Sequence, residues 1–381
     1  MKILEVVSYL YPSMVYGGPA KVVYEMSRDL AFGNRVTIYT TDVWDEKSRI
    51  PQKKKLKNSK DFEVFYFRNI FNSLAFRYRF FTGLGMVFAY IGRHDEFDIV
   101  HIHDVYIIPQ LLIGILAILY KRPYLVTPHG VLDPLRAEQK SFLKSIVYHI
   151  LARYVLSRAK LLVATSDQEK KDLLALGFKN VEVVFNGISM NIEKPSTKFE
   201  KFRDESLFTI LYIGKIHPLK GLDCLLAALK DVKFRCRLLV AGPDDGARGN
   251  LEKITSRYNL KDVHFLNYVD EKEKSELFSI ADLFVYPSRS EGFSISILEA
   301  IKYKVPVLIT SACNFPDIAS FKAGFVLPNK NLDKSLRVIL SELNNKRETL
   351  KRFGENGRRL IEERYSIKLM AKKMDSLYRE L

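Results

Sequence analysis

The chain has 381 residues, 47% of them apolar, and a formal net charge of +16. That length exceeds what one hydrophobic core ordinarily supports, so two domains of similar size are expected. Three cysteines, Cys224, Cys236 and Cys313, without CxxC spacing argue against a disulfide framework and a zinc site, and fit a reducing cytoplasm.

The opening MKILEVVSYLYP has no small-residue cleavage site and reads as a first buried strand rather than a signal peptide. Lys2 to Ser8 forms that strand, followed by the turn Tyr16-Gly17-Gly18-Pro19 and a helix over about Ala20 to Ala31. Strand, glycine turn and helix in succession let a backbone approach a phosphate or sugar, although an ordinary tight turn fits the same residues. Arg35 to Thr40 and Phe62 to Phe67 are the next strands. Between Lys47 and Phe81 stand ten Lys or Arg against two acids, which accounts for the whole positive excess of residues 1–190. A surface charged in this way needs an anionic partner: nucleic acid, a phosphorylated substrate or anionic lipid. Within 68–90, Arg68, Arg77 and Arg79 are interleaved with Phe71, Phe76, Tyr78, Phe80, Phe81 and Phe88. Rings beside guanidiniums suit a membrane interface or stacking on single-stranded nucleic acid, and equally a core with arginines at its edge.

Asp98 to His103 is a short strand whose alternation sends His101 and His103 to one side of its carboxyl end. The longest apolar segment, Val105 to Tyr120, is broken by Pro109 and Gly114 and falls short of the roughly 20 residues a bilayer crossing needs, so a buried helix is expected. Pro123 to Thr127 is a strand running into TPHG, which puts His129 at a strand carboxyl end, where open α/β sheets bind ligands; a lone His also serves a fold with no further role. From Phe142 to Val155 two adjacent apolar rows four residues apart predict a wide helical stripe facing the core, with a membrane-lying helix as the lesser alternative. Leu161 to Thr165 is a strand, Gln168 to Leu176 a charged helix and Val181 to Phe185 the last strand of this half. Asn186-Gly187 then opens a polar linker through Ser206.

The second half restarts with the strand Thr209 to Ile213, which runs into Gly214-Lys215-Ile216-His217-Pro218-Leu219-Lys220-Gly221 and a helix from Leu222. Two lysines five apart in a strand-to-helix turn can each reach a phosphate, and GxxxxGK[ST] is absent. Strands follow at Arg237 to Ala241, Val263 to Leu266, Leu283 to Tyr286 and Val307 to Thr310, with helices at Asn250 to Tyr258 and Glu271 to Ile280. Asp244-Asp245 after Gly242-Pro243 reads as turn chemistry. Between the last two strands lies PSRSEGFSISILEAIKYKVP, residues 287–306, with seven residues separating Glu291 from Glu299. If Glu291 sits in the turn and Glu299 on the second helical turn, they lie about 8 to 12 Å apart, room for a diphosphate over a helix N-terminus. A solvated helix with a capping acid fits the same spacing. Helices over Asp333 to Lys346 and Glu348 to Glu363, then Tyr365-Ser366 and an amphipathic helix, close the chain. Alternating strands and helices in both halves predict two doubly wound α/β domains, with ligand at the strand carboxyl ends.

Taken together the motifs resemble glycosyltransferase family 4, the retaining nucleotide-sugar transferases of the GT-B fold. They are Gly17-Gly18 after the first strand, TPHG at 127–130, VFNGI at 184–188, GKIHPLKG at 214–221, SEGFSISILEA at 290–300 with its Glu-x7-Glu, and a terminal helix opened by Tyr365-Ser366. The resemblance implies an acceptor-binding Rossmann-like domain over 1–190, a nucleotide-sugar-binding one over 191–364, and a helix at 365–381 returning to the first. Lys215 and Lys220 resemble the pair that neutralises the donor diphosphate, with Lys215 where most members have Arg. Glu291 resembles the carboxylate facing the transferred sugar and Glu299 the one binding ribose. Gly292, Phe293 and Ser294 would offer backbone N–H groups to phosphate, Ser294 standing where Gly is usual. His129 resembles the histidine beside the transferred sugar, and Gly17 and Gly18 the loop under the donor. Glu291, His129 and Lys220 are thus the expected catalytic residues.

The implied activity is hexosyl transfer, with retention, from a UDP- or GDP-sugar to a saccharide acceptor of a bacterial envelope polymer. The acceptor is expected to be lipid-linked, because the basic and aromatic 47–81 stretch suits an anionic membrane surface, and the protein peripheral on the cytoplasmic face of the inner membrane. No cofactor or metal is expected, since no DxD-like pair is placed for a divalent ion. An epimerase or phosphorylase on the same fold is the enzymatic alternative. Nucleic-acid binding is the non-enzymatic one, disfavoured because no nucleic-acid motif is present and the charge of the first domain is crowded into one stretch.

Overall fold

The computed structural model describes residues 1–13, 17–130, 142–343 and 346–381, the side chains of 142–148 excepted. These residues form two units, Met1–Ser189 with Ile367–Leu381, and Met190–Ser366.

The first unit is built on seven parallel strands, β1 (Lys2–Val6), β2 (Arg35–Thr41), β3 (Phe62–Phe67), β4 (Ile99–His103), β5 (Tyr124–Thr127), β6 (Leu161–Ala164) and β7 (Val181–Val183). Their order is β3-β2-β1-β4-β5-β6-β7. The second unit has six parallel strands, β8 (Phe208–Ile213), β9 (Cys236–Ala241), β10 (Val263–Leu266), β11 (Leu283–Tyr286), β12 (Val307–Thr310) and β13 (Gly324–Leu327), in the order β10-β9-β8-β11-β12-β13. Central strands such as β8 and β11 are buried along their whole length, as crossover helices on both faces require, so they read as nearly continuous apolar runs. The strand order reverses between β1 and β4 in one sheet and between β8 and β11 in the other, and at such points the connections leave in opposite directions and open a crevice at the carboxyl ends. This is the doubly wound α/β pair that the alternation predicts.

The terminal helix Ile367–Arg379 belongs to the first unit. It buries Ile367, Met370, Ala371, Met374 and Tyr378, packs on the helix Pro19–Leu30, and receives the Asn34 side-chain amide on Asp375 at 2.7 Å.

Four points that the sequence left open, misread or passed over are decided by the structure. The 68–90 stretch is divided between helices Asn72–Tyr78 and Gly85–Arg93, and its rings part company: Phe81 is buried, whereas Phe71, Tyr78 and Phe88 are 53%, 73% and 71% exposed. Among the described side chains of the helix Phe142–Arg158, Ala152, Val155 and Leu156 are buried; of the expected core stripe Val155 is buried, while Ile150, Leu151 and Tyr154 are exposed. Apolar residues surround that helix, so periodicity selects no face, and the close approach of the helix Ile108–Leu119 at Gly114 to Val155 decides it. The polar segment after Ser189 is no free linker: Phe199 and Phe202 are buried, and Glu276 accepts the Phe199 N–H at 2.8 Å. Finally, the edge strand β13 has only four residues and a Gly start, too short for an alternation to register. Among the described residues no helix is long and apolar enough to cross a membrane.

Candidate functional site

In the second unit the lysine turn and the two-glutamate stretch meet at the carboxyl ends of β8 and β11. Beyond β8, a short 3-10 turn over Pro218–Lys220 ends in Gly221 at φ 67°, where a Cβ would also stand 2.0 Å from the Pro287 carbonyl oxygen. Only glycine satisfies both constraints. The loop after β11 is tied to this turn from its other side: Arg289 N–H donates to Leu219 O at 2.7 Å, and its guanidinium to Pro218 O at 2.6 Å and to Asp223. The Lys220 ammonium is thereby held against the Glu291 carboxylate and over the Tyr286 ring, 5.6 Å from its centroid. Tyr286 donates its hydroxyl to the same Glu291 oxygen at 2.8 Å, and the Asn314 amide donates to the Glu291 carbonyl at 2.6 Å. Burial, and then the Glu291 charge, push the Tyr286 hydroxyl well above its usual pKa, so it remains a donor.

Glu299 lies on the second turn of the helix Ile295–Lys302 and is 4% exposed. Lys274, from the helix Glu271–Ile280, spans both its oxygens at 3.0 and 3.1 Å and touches Glu271 at 3.1 Å. Each glutamate of the pair therefore has its own lysine. Such pairs suit a site for a polyanion, because an ammonium that neutralises a carboxylate can turn to a phosphate of greater charge.

Lys215 is partly exposed and pairs with Asp245 at 3.9 Å. Asp244 performs the turn chemistry, accepting the N–H groups of Gly246, Ala247 and Arg248 at 3.1, 3.2 and 3.1 Å. No side chain caps the helix Ile295–Lys302, whose N-cap is Ser294. Next to it Phe293 packs against Phe315 and Tyr365, and the Ser294 hydroxyl bonds to Tyr286. Gly292 directly precedes Phe293 in this loop.

In the first unit Gly17, at φ 121°, takes a backbone conformation open only to glycine, while Gly18, at φ −60°, is an ordinary N-cap for Pro19–Leu30. Tyr16 lies outside the described residues. His129 stands beyond β5 at φ 56°, in the left-handed region. Its turn is held by Glu169, which accepts the Gly130 N–H at 2.6 Å and both the N–H and hydroxyl of Thr165 at 2.7 Å. His129 Nε2 lies 3.0 Å from His103 Nδ1, and His129 Nδ1 is a buried atom with no hydrogen-bond partner among the described residues. Burial, followed by the neighbouring His103, His101 and Arg79, holds the His129 pKa well below 6.5, so the ring is neutral.

Glu5, His101 and His103 bring one ligand atom each to within 4.8 Å of one another, a grouping of the kind that holds metal ions. Here those atoms are engaged with each other and with Tyr378: His103 Nε2 to Glu5 at 2.7 Å, His101 Nδ1 to Tyr378 at 2.7 Å and Tyr378 to Glu5 at 3.0 Å.

Sequence reading overlooked Lys274, Tyr286, Glu169, Glu5 and Tyr378. Only Glu5 left a signal, a carboxylate inside the apolar run ILEVV.

Two family descriptions match the chain. "Glycosyltransferase Family 4" covers residues 16–191, and "Glycosyl transferases group 1" covers 193–360. The O-antigen chain mannosyltransferase C of Escherichia coli is 25% identical over 100% of this chain and 99% of its own. The capsular polysaccharide biosynthesis glycosyltransferase CapM of Staphylococcus aureus is 22% identical over 64% and 68%. Among solved structures, sucrose-phosphate synthase of Thermosynechococcus elongatus superposes with a TM-score of 0.82 at 20% identity, covering 100% of this chain and 98% of that one. Anabaena HepE, crystallised with UDP and glucose, superposes with a TM-score of 0.79 at 18% identity and covers 100% of both chains. Family descriptions adjoining in the middle of the chain, over two parallel sheets with matching strand reversals, identify it as a glycosyltransferase of family 4 with the GT-B fold.

Proposed function

We propose that the chain transfers a hexose, with retention of anomeric configuration, from a UDP- or GDP-sugar to a lipid-linked saccharide during synthesis of an envelope polysaccharide such as O-antigen, capsule or exopolysaccharide. The observation that carries this reading is the pair of buried glutamates in the second unit, each bound by its own lysine at strand carboxyl ends. The O-antigen and capsule functions of the E. coli and S. aureus relatives and the UDP bound to HepE support it.

On donor binding, Lys220 turns from Glu291 to the diphosphate, assisted by Lys215 and by the backbone N–H groups of Gly292, Phe293 and Ser294. Glu291, released, accepts hydroxyls of the transferred sugar, while Glu299 takes the ribose. Gly17 and Gly18 admit the donor close to the backbone, and His129 accepts a hydroxyl of the sugar. In a front-face substitution the anomeric carbon–phosphate oxygen bond breaks as the bond to the acceptor oxygen forms, and the departing phosphate oxygen takes the acceptor proton. The two lysines provide the positive charge for the leaving group, and we propose that no divalent metal is needed; loss of activity with EDTA would contradict this.

The acceptor side is assigned to the first unit. The basic 47–81 stretch, with Phe71 and Tyr78 exposed and Phe88 nearby in sequence, suits an anionic membrane surface on the cytoplasmic face, where lysines meet headgroups and rings enter the interface. Flotation with anionic and neutral vesicles tests it: salt-sensitive binding to anionic vesicles alone is expected, and equal partition into both contradicts it. The donor assignment is tested by thermal shift against UDP, GDP, UDP-glucose and GDP-mannose, since a ligand of the native state raises Tm. No shift with any of the four contradicts the assignment.

A further inference from the structure

Glu5 is a carboxylate within a central strand, fully buried, and bonded among the described residues by His103, Tyr378 and His101 rather than by a lysine or arginine. Its neighbours across the sheet are set by register: Glu5 lies beside His101 on β4, and His103 beside Thr127 on β5. Burial acts to raise the Glu5 pKa, but the charges and hydrogen bonds of His101 and His103 overcome it and hold the carboxyl well below its usual range. Burial and the neighbouring His101 in turn depress His103 to about 4, against the pull of Glu5. At neutral pH Glu5 is therefore a carboxylate and His103 a neutral ring.

That composition decides where every proton sits. An ionised carboxylate only accepts, so His103 Nε2, 2.7 Å from Glu5, carries a proton. A neutral His103 then has a bare Nδ1, and this atom accepts from His129 Nε2 at 3.0 Å. His129, neutral with its proton on Nε2, is left with a bare Nδ1, the buried atom without a partner. Tyr378 completes the arrangement from the terminal helix: its hydroxyl donates to the second Glu5 oxygen and stands 2.7 Å from His101 Nδ1. His101 therefore donates from Nδ1, and its Nε2 stands 2.7 Å from the Thr127 hydroxyl.

We propose that Glu5, acting through His103, fixes His129 in the Nε2–H tautomer, so that Nδ1 is presented only as a hydrogen-bond acceptor for a hydroxyl donor. Glu5 and His103 are positioning residues, and Tyr378 couples the returning helix to them. That the hydroxyl belongs to a sugar rests on the reading of His129 given above. The tautomer assignment does not depend on that reading.

The test is long-range 1H–15N correlation on the full chain with 15N-labelled histidine, which distinguishes the two neutral tautomers of each ring. His129 and His103 signals are assigned by their loss in His129→Gln and His103→Gln. In the wild type both rings are expected as Nε2–H from pH 6 to 8, with Glu5, His101, Tyr378, Arg79 and Asp104 as the charged or titratable groups around them. In Glu5→Gln, whose amide can donate as well as accept, His129 is expected to acquire Nδ1–H signal. Release of UDP from UDP-glucose, or GDP from GDP-mannose, should fall about tenfold in kcat with donor KM unchanged. A wild-type His129 carrying its proton on Nδ1, or an unchanged His129 tautomer in Glu5→Gln, overturns the proposal. If Glu5→Gln does not fold, the wild-type spectrum alone decides it. If the tautomers are as stated but His129→Gln leaves turnover intact, the positioning chain stands and the sugar-binding role of His129 falls.

Discussion

The two units share a sheet topology and a strand-order reversal, yet the buried carboxylates at their candidate sites are held in opposite ways. In the second, Glu291 and Glu299 are neutralised by Lys220 and Lys274. In the first, Glu5 is neutralised by no ammonium but is hydrogen-bonded by His103 and Tyr378. An ammonium on a flexible stem can leave for a stronger anion, whereas neutral donors locked between strands and a helix can only direct protons. On the proposed function, this contrast gives anion exchange to one unit and hydrogen-bond direction to the other.

The most damaging way to break that contrast is Lys220→Ala. Removing the ammonium should lower donor turnover by roughly 100-fold or more, the effect of losing one electrostatic stabiliser of a leaving group. It also leaves Glu291 buried without its cation, which costs about 3 kcal/mol of stability in urea denaturation. Wild-type turnover in this variant would refute the exchange role.

Acid tests the other unit. His103 is depressed from 6.5 to about 4, so between those values the unfolded chain binds a proton that the folded one refuses. Stability is full above pH 6.5 and is lost as pH falls toward about 4, by at most about 3 kcal/mol from this group. Glu5, lowered in the same sense, adds to the loss at more acid pH. A pH series of Tm should slope downward toward acid and flatten in His103→Gln; a flat wild-type profile would contradict the neutral network.

Smaller effects sharpen the division of labour within the second unit. Glu291→Ala should mainly lower kcat, and Glu299→Ala should mainly raise donor KM, by about tenfold. Identical kinetic signatures would show that the two carboxylates do not act on different parts of the donor. Smallest of all, Phe71→Ser with Phe88→Ser should weaken flotation on anionic vesicles a few-fold while leaving stability within about 0.5 kcal/mol. A large drop in Tm would instead mark these rings as part of the packing.

Much of this was written along the chain. The strand and helix alternation predicts two doubly wound sheets because parallel strands buried on both faces are mostly apolar and joined by amphipathic crossovers. The spacing of Glu291 and Glu299 and the glycine after Lys220 are equally local, since backbone geometry alone places residues across one turn. The partners of those residues could not be found in this way. Lys274 is one lysine among several charges in EKEKSE, and only the packing of its helix selects it for Glu299. Tyr378 stands 373 residues from the Glu5 it bonds, and only a helix folding back on the first sheet joins them. The exposed face of Phe142–Arg158 was misread for a related reason, because a helix apolar all round has its buried side chosen by its neighbours.

By itself the sequence determined the layers, the strand ends and the residues able to carry charge, all consequences of short-range sterics and alternation. Tertiary structure alone decided which lysine meets which glutamate and which ring nitrogen holds a proton. Those depend on sheet order and register, which bring together residues that no local spacing connects.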